Sequence, residues 1–383
     1  MYAPGESLEG APILGEISGD FSVLLWRTVR DLTLWAATPL SARAGLFAVA
    51  STDVRLTRLA VTDIPAELAP AIDTIQGMLT LADRADADVI TICCLEIAAW
   101  AGKSGAPNTA VAFAQAGALV SPDAAEAALQ TGLAALALGQ DARAATWFRR
   151  AIALARREHA WAVYVAGLVE LAILEERWGT LDRAAYLYRW ASRAARRQRN
   201  REAYVSATHG RFRVARQRGD VVTAAVHAIS VERAFRRKVT PDAGVLLDLA
   251  RFWTELGDPG AARAALRRLI ACRSELPRAD QLSSWALSAR VFAKSDPAFS
   301  AAAVGEAWES LLDSKLPQET RMAAALDLAH AARHAGDDAA FTRAKNVVLA
   351  LAPQEGSDAI AAEVGRLWAA GRDPYAVQVR RSA

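Results

Sequence analysis

An all-α fold, built as an α-solenoid of antiparallel helix pairs, is predicted by three observations. A glycine recurs on a nearly fixed ruler, at Gly105, Gly139, Gly179, Gly219 and Gly257. Small or apolar residues follow each glycine at the same offsets: Ala144, Phe148 and Ala151 after Gly139, and Ala184, Tyr188 and Ala191 after Gly179. Residues 123–240 are rich in alanine and hold no proline, which favours helix over strand. A self-similar period of this length is the mark of a repeat array, in which each unit buries its apolar face against the next.

The elements follow in chain order. Residues 1–20 carry glycines and acids and are expected as a flexible N-terminal segment. Residues 21–84, from FSVLLWRTVRDLTLWAA to IPAELAPAIDTIQGMLTLA, have helical periodicity without the glycine frame and are expected to cap the array. The array itself spans 85–353, about seven helix pairs. Its first ladder is Gly105, Ala110, Ala114 and Gly117, closed by Pro122. Gly219 leads to Ala224, Ala228 and Val231, and Gly257 to Ala262, Leu266 and Leu269. A second ladder precedes the turns: Leu168, Leu171 and Ala172 before Gly179; Leu246, Leu249, Ala250 and Trp253 before Gly257; Leu328, Ala329 and Ala332 before Gly336. Spacings of three, four and seven put each set on one helix face, so the unit reads helix, glycine turn, helix. Ser295 stands where another turn glycine is expected. Residues 354–383 are expected as a capping helix and a tail.

These ladders resemble the tetratricopeptide repeat (TPR). The match is strongest in LAALALGQDARAATWFRRAIALA, where Gly132 takes the family's small-residue position in the first helix and Phe148 its aromatic position in the second. The resemblance implies a right-handed superhelix with a concave groove lined by the first helix of each pair. Repeat lengths of 34–41 residues, against the family's 34, imply some helices longer by up to about one turn.

Composition excludes several classes. MYAPGESLEG lacks the basic start of a secretory leader, and the apolar runs are interrupted by Glu96 and Glu170, so neither export nor membrane insertion is expected. A cytoplasmic, bacterial protein is the expectation. Cys93, Cys94 and Cys272 have no metal-type spacing and read as buried thiols. His330 and His334 lie four apart in HAARH, without the glutamate that accompanies a helical zinc pair, so no metal and no cofactor is expected. No nucleophile elbow, phosphate loop or DNA-reading module is visible, and the chain is expected not to be an enzyme. Eleven tryptophans are present, and Trp147, Trp190 and Trp253, at or beside ladder positions, are expected to pack between helices.

Charge is polarised. Val61–Glu126 holds nine acids against Arg84 and Lys103, a net of −7; Arg189–Lys238 holds fourteen bases against Glu202, Asp220 and Glu232, a net of +11. In the TPR resemblance, His209, Arg213, Arg216 and Gln217, with Arg177 one repeat earlier, take groove-lining positions and become the candidate partner-binding residues. The clamp that some family members use for chaperone tails is not expected, because EAALQTGLAALALG is apolar. The expected function is a protein-interaction scaffold that holds an extended or acidic segment of a partner. The competing readings are a ligand- or peptide-sensing regulator, nucleic-acid binding through the arginine belt, and self-association of the acidic and basic stretches. On this reading, Arg213→Glu with Arg216→Glu abolishes partner capture and leaves helicity unchanged.

Overall fold

The computed structural model describes residues 12–47, 57, 59, 62–235 and 242–351. Seventeen α-helices and no strand occur among them. Contacts divide the chain into two compact units, 1–237 and 238–383, a boundary that falls inside the stretch read from sequence as one array.

The first unit opens with α1 (Pro12–Glu16) and α2 (Gly19–Ala37), a 3-10 turn at Leu40–Gly45 and α3 (Ala69–Thr80). Four helix pairs follow: α4 (Ala87–Lys103) with α5 (Pro107–Val120), α6 (Ala125–Ala137) with α7 (Asp141–Arg157), α8 (Trp161–Arg177) with α9 (Leu181–Arg197), and α10 (Arg201–Gln217) with α11 (Val221–Phe235). The second unit holds three pairs: α12 (Ala243–Leu256) with α13 (Pro259–Ile270), α14 (Arg278–Phe292) with α15 (Pro297–Leu311), and α16 (Gln318–Ala335) with α17 (Asp338–Leu351). Within each unit, every helix of a pair packs on its mate.

The ladders explain the pairing. Ala144, Phe148, Ala151, Ala184, Ala191, Ala224, Ala228, Val231, Ala262, Leu266 and Leu269 are all fully buried. Small residues let the helices approach, and the aromatic fills the space between them. A methyl group on Gly132 would overlap the Phe148 ring, and one on Gly210 would overlap the Tyr188 ring. The six turn glycines from Gly105 to Gly336 share the left-handed conformation, with φ between 70° and 78°. At Gly139 the chain closes with Gln140 N–H donating to Ala135 C=O at 3.0 Å, which satisfies the end of α6. At Ser295 no such residue is needed: Ser295 and Asp296 both donate to Phe292 C=O, and Asp296 then caps α15 through Phe299 N–H. The connections from one pair to the next supply two positions the glycine ruler does not mark. His159 (φ 58°) and Arg199 (φ 55°) adopt the same left-handed conformation without being glycine.

Residues 12–20 correct the expectation of a flexible segment over 1–20. Ile13 is buried, and the Glu16 carboxylate accepts from Asn108 N–H (2.7 Å) and Thr109 N–H (2.8 Å), with both side chains adding further bonds. Residue Ala106 at the start of α5 has no capping side chain, so Glu16 satisfies that helix terminus from a distance and complements its dipole. Residues 1–11 and the expected capping helix and tail at 354–383 lie outside the described residues. Over the expected cap, α2 and α3 share one core with α4 and α5. There the Trp35 indole donates to Ala82 C=O at 2.7 Å, and Gln76 donates to the Thr28 hydroxyl at 2.8 Å.

Candidate functional site

The arginine-rich stretch occupies α9, α10 and α11. Its α10 candidates converge on a residue of the preceding pair. The Arg213 fork donates to both oxygens of Glu176, Nε to Oε1 at 3.1 Å and Nη2 to Oε2 at 2.7 Å. Gln217 Nε2 donates to Glu176 Oε1 at 2.8 Å. The Tyr188 hydroxyl accepts from Arg213 Nη2 and donates to Glu176 Oε2, both at 3.0 Å. Four side chains from α8, α9 and α10 therefore form one closed network. Burial pushes the Tyr188 phenol up, with Arg213 pulling it down and Glu176 adding to the rise. The Glu176 side chain is 8% exposed and Arg213 34%, so the network lies mostly below the surface with one cationic edge at it.

The other candidates are placed differently. Arg177 Nη2 meets Asp141 Oδ2 at 3.0 Å across two pairs, with half of the arginine side chain still exposed. Arg216 is half-exposed on α10. His209 is buried, its ring stacked near Phe212 at 5.7 Å. The structure thus brings Arg213 and Gln217 together on Glu176, ties Arg177, next to Glu176 on α8, to Asp141 of the preceding pair, and buries His209 with its helix neighbours Thr208 and Gly210.

Glu176 is the residue that sequence reasoning missed. A signal existed. Asp141 and Arg177, Glu176 and Arg213, Asp182 and Arg218, and Arg290 and Asp327 pair across separations of 36 or 37 residues, one repeat. Opposite charges set one period apart stitch successive pairs together. Two of these, Asp141–Arg177 and Asp182–Arg218, join the first turn of a second helix to the end of the next first helix, where both charges also suit the helix dipoles.

The remaining singled-out residues sort by burial. Trp253 is buried and Trp147 packs against the core of the α6–α7 pair, but Trp190 is 39% exposed, which corrects its expected packing role. It sits on the exposed stripe of α9, edge to face with the Tyr186 ring. His330 is pushed down to about 3, first by burial and then by Arg290 and His334. Among the described residues no group of three or more His, Cys, Asp or Glu side chains is placed to hold a metal ion. Cys93 and Cys94 are buried and burial raises both thiols; Cys272 is only half-buried, with its thiol against the Arg268 and Leu269 carbonyls. No helix among the described residues is long and apolar enough to cross a membrane.

Comparison with known proteins places the architecture. No family model matches the chain, and no curated sequence does. Among solved structures, the apo form of RapI aligns at TM-score 0.50 and 12% identity, covering 68% of this chain and 97% of that one. The APC/C hetero-tetramer Cut9–Hcn1 aligns at TM-score 0.51 and 15% identity, covering 90% of this chain and 62% of that one. BtubC from P. vanneervenii aligns at TM-score 0.44 and 20% identity over 57% of this chain and 90% of its own. The fold is a TPR-like helical-repeat solenoid. At these identities the likeness speaks for the fold alone.

Proposed function

We propose that the chain is a non-enzymatic interaction scaffold that binds an extended or acidic segment of a partner protein, in a regulatory or adaptor role. The observation that carries this reading is the preorganised cationic edge of the α8–α10 network. Arg213 is held by a fork to Glu176 and a bond to Tyr188, so its guanidinium loses little freedom when a ligand arrives. Arg177, Arg216 and Gln217 complete the candidate surface around it. His209 supports the surface from beneath. Cut9–Hcn1, which shares the architecture, is a hetero-tetramer. That supports a scaffold role for an array of this kind and names no partner here.

The structure changes how the proposal must be tested. Arg213→Glu would set a carboxylate against Glu176 and damage the network, so loss of binding in that variant would report misfolding. Arg216→Glu replaces none of the four side chains of that network. Affinity capture from the native host with wild-type and Arg216→Glu chains, followed by mass spectrometry, is expected to show a protein recovered by the first and lost by the second. Identical recoveries would count against the groove assignment. Nucleic acid is the reading favoured by the +11 stretch; retardation of generic DNA or RNA at low salt that fades steeply as salt rises would support it.

A further inference from the structure

The exposed face of α9 carries a second arginine set that meets no carboxylate among the described residues. Tyr186, Arg189, Trp190, Arg193 and Arg197 recur at helical spacing and form one exposed stripe. The Arg189 guanidinium stands 5.6 Å from the Tyr186 ring and Arg193 5.8 Å from Trp190, while the two rings meet edge to face at 6.1 Å. Arg211, half-buried on neighbouring α10, feels the same stripe: burial first, and then Arg189 and Arg193, lower its pKa, with Tyr204 opposing. Among the described residues, Arg189, Arg193 and Arg211 have no carboxylate partner. Like charges gathered around a partly desolvated guanidinium oppose folding unless an anion from outside completes them.

We infer that this α9–α10 face is a second binding surface, for an extended polypeptide segment bearing carboxylates on alternate residues. Arg189, Arg193 and Arg197 stand four residues apart, about 6 Å along the helix. Alternate side chains of an extended strand lie roughly 6.6 Å apart on one side. One carboxylate per arginine therefore keeps register over the three arginines. Arginine forks and carboxylates make the strong, bidentate kind of contact. A nucleic-acid strand fits less well: single-stranded binding relies on bases stacking on open aromatic faces, and here guanidinium groups and ring edges already occupy Tyr186 and Trp190. The inference shares with the proposed function the class of partner, an extended acidic segment of a protein, and differs in the surface.

The test uses the full chain and a fluorescein-labelled peptide of alternating glutamate and serine, read by anisotropy. Its controls are the glutamine–serine counterpart and oligothymidylate. Wild type binds the glutamate peptide alone among the three. Arg189→Glu with Arg193→Glu weakens that binding by about tenfold or more, and Arg216→Glu leaves it unchanged. The same double variant melts no lower than wild type, because it relieves repulsion around Arg211; a purely structural role for these arginines predicts a lower melting temperature. Binding that survives in the double variant, binding lost through Arg216→Glu, preference for oligothymidylate, or a wild-type dimer dissolved by the double variant would each overturn the assignment. If no glutamate peptide binds while capture from the host still depends on Arg216, this inference fails and the proposed function stands.

Discussion

Arg213 and Arg211 are two residues apart on one helix and live in opposite electrostatic worlds. Arg213 faces Glu176, Tyr188 and α8, and its fork is matched donor for acceptor. Arg211 faces Arg189 and Arg193, and its charge is disfavoured by burial and by both neighbours. A basic segment of net +11 is therefore not one surface. One side of α10 uses arginine as a structural bolt between repeats, and the other accumulates charge that no carboxylate among the described residues compensates. The lesson is that arginine counts cannot rank binding residues; the acid that meets each one can.

The largest effect is expected at the bolt. Glu176→Ala removes the acceptor for Arg213, Gln217 and Tyr188 together and is expected to cost about 2–3 kcal/mol, less than a fully buried pair because Arg213 is one-third exposed. Urea denaturation followed by circular dichroism checks it, and a loss under ~0.5 kcal/mol would mean the network is ornamental. Next comes the packing beneath it. Gly210→Ala drives a methyl into the Tyr188 ring and is expected to cost about 1–3 kcal/mol, with a new tyrosine environment visible by near-ultraviolet dichroism. The histidines act on a slower lever. His227 is pushed down to about 4, by burial first and then by Arg211, against an ordinary value of 6.5. The folded state thus resists its protonation. Stability is full above pH 6.5 and is expected to fall as pH drops toward 4, by up to about 1.4 kcal/mol per pH unit at the steepest. His227→Gln should flatten that part of the stability–pH curve measured by thermal melts. The smallest effect is at a turn: Arg199→Gly relieves a left-handed non-glycine residue and is expected to raise stability by up to about 1 kcal/mol, which a melting-temperature shift upward would show.

Much of the fold was legible because its causes are periodic. The glycine ruler marks turns that only a left-handed residue closes, and the ladders from Ala144 to Leu269 mark positions that burial leaves almost no freedom. His159 and Arg199 were not legible, since a lone residue bent into the left-handed region carries no signature in its side chain. The N-terminal boundary was missed for a related reason. Glu16 acts on α5 across 92 residues, and composition near the terminus says nothing about so distant a contact. The α10 candidates were legible as one set on a helix, but their lock to the preceding pair was not. Family offsets pointed to Arg213 and Gln217, but whether a groove position faces outward or locks to the repeat before it depends on Glu176, which becomes visible only when charges one repeat apart are compared. The stripe on α9 was hidden by the assumption that Trp190, beside a ladder position, packs inward.

Everything here turns on the difference between Arg213 and Arg211, and substitution by methionine, which keeps the aliphatic volume and removes the charge, isolates it. Thermal unfolding of Arg213→Met and Arg211→Met chains beside wild type, at low ionic strength, is the direct measurement. Arg213→Met is expected to melt below wild type and Arg211→Met at the same temperature or above it. Equal losses in the two variants would contradict the division between bolt and stripe.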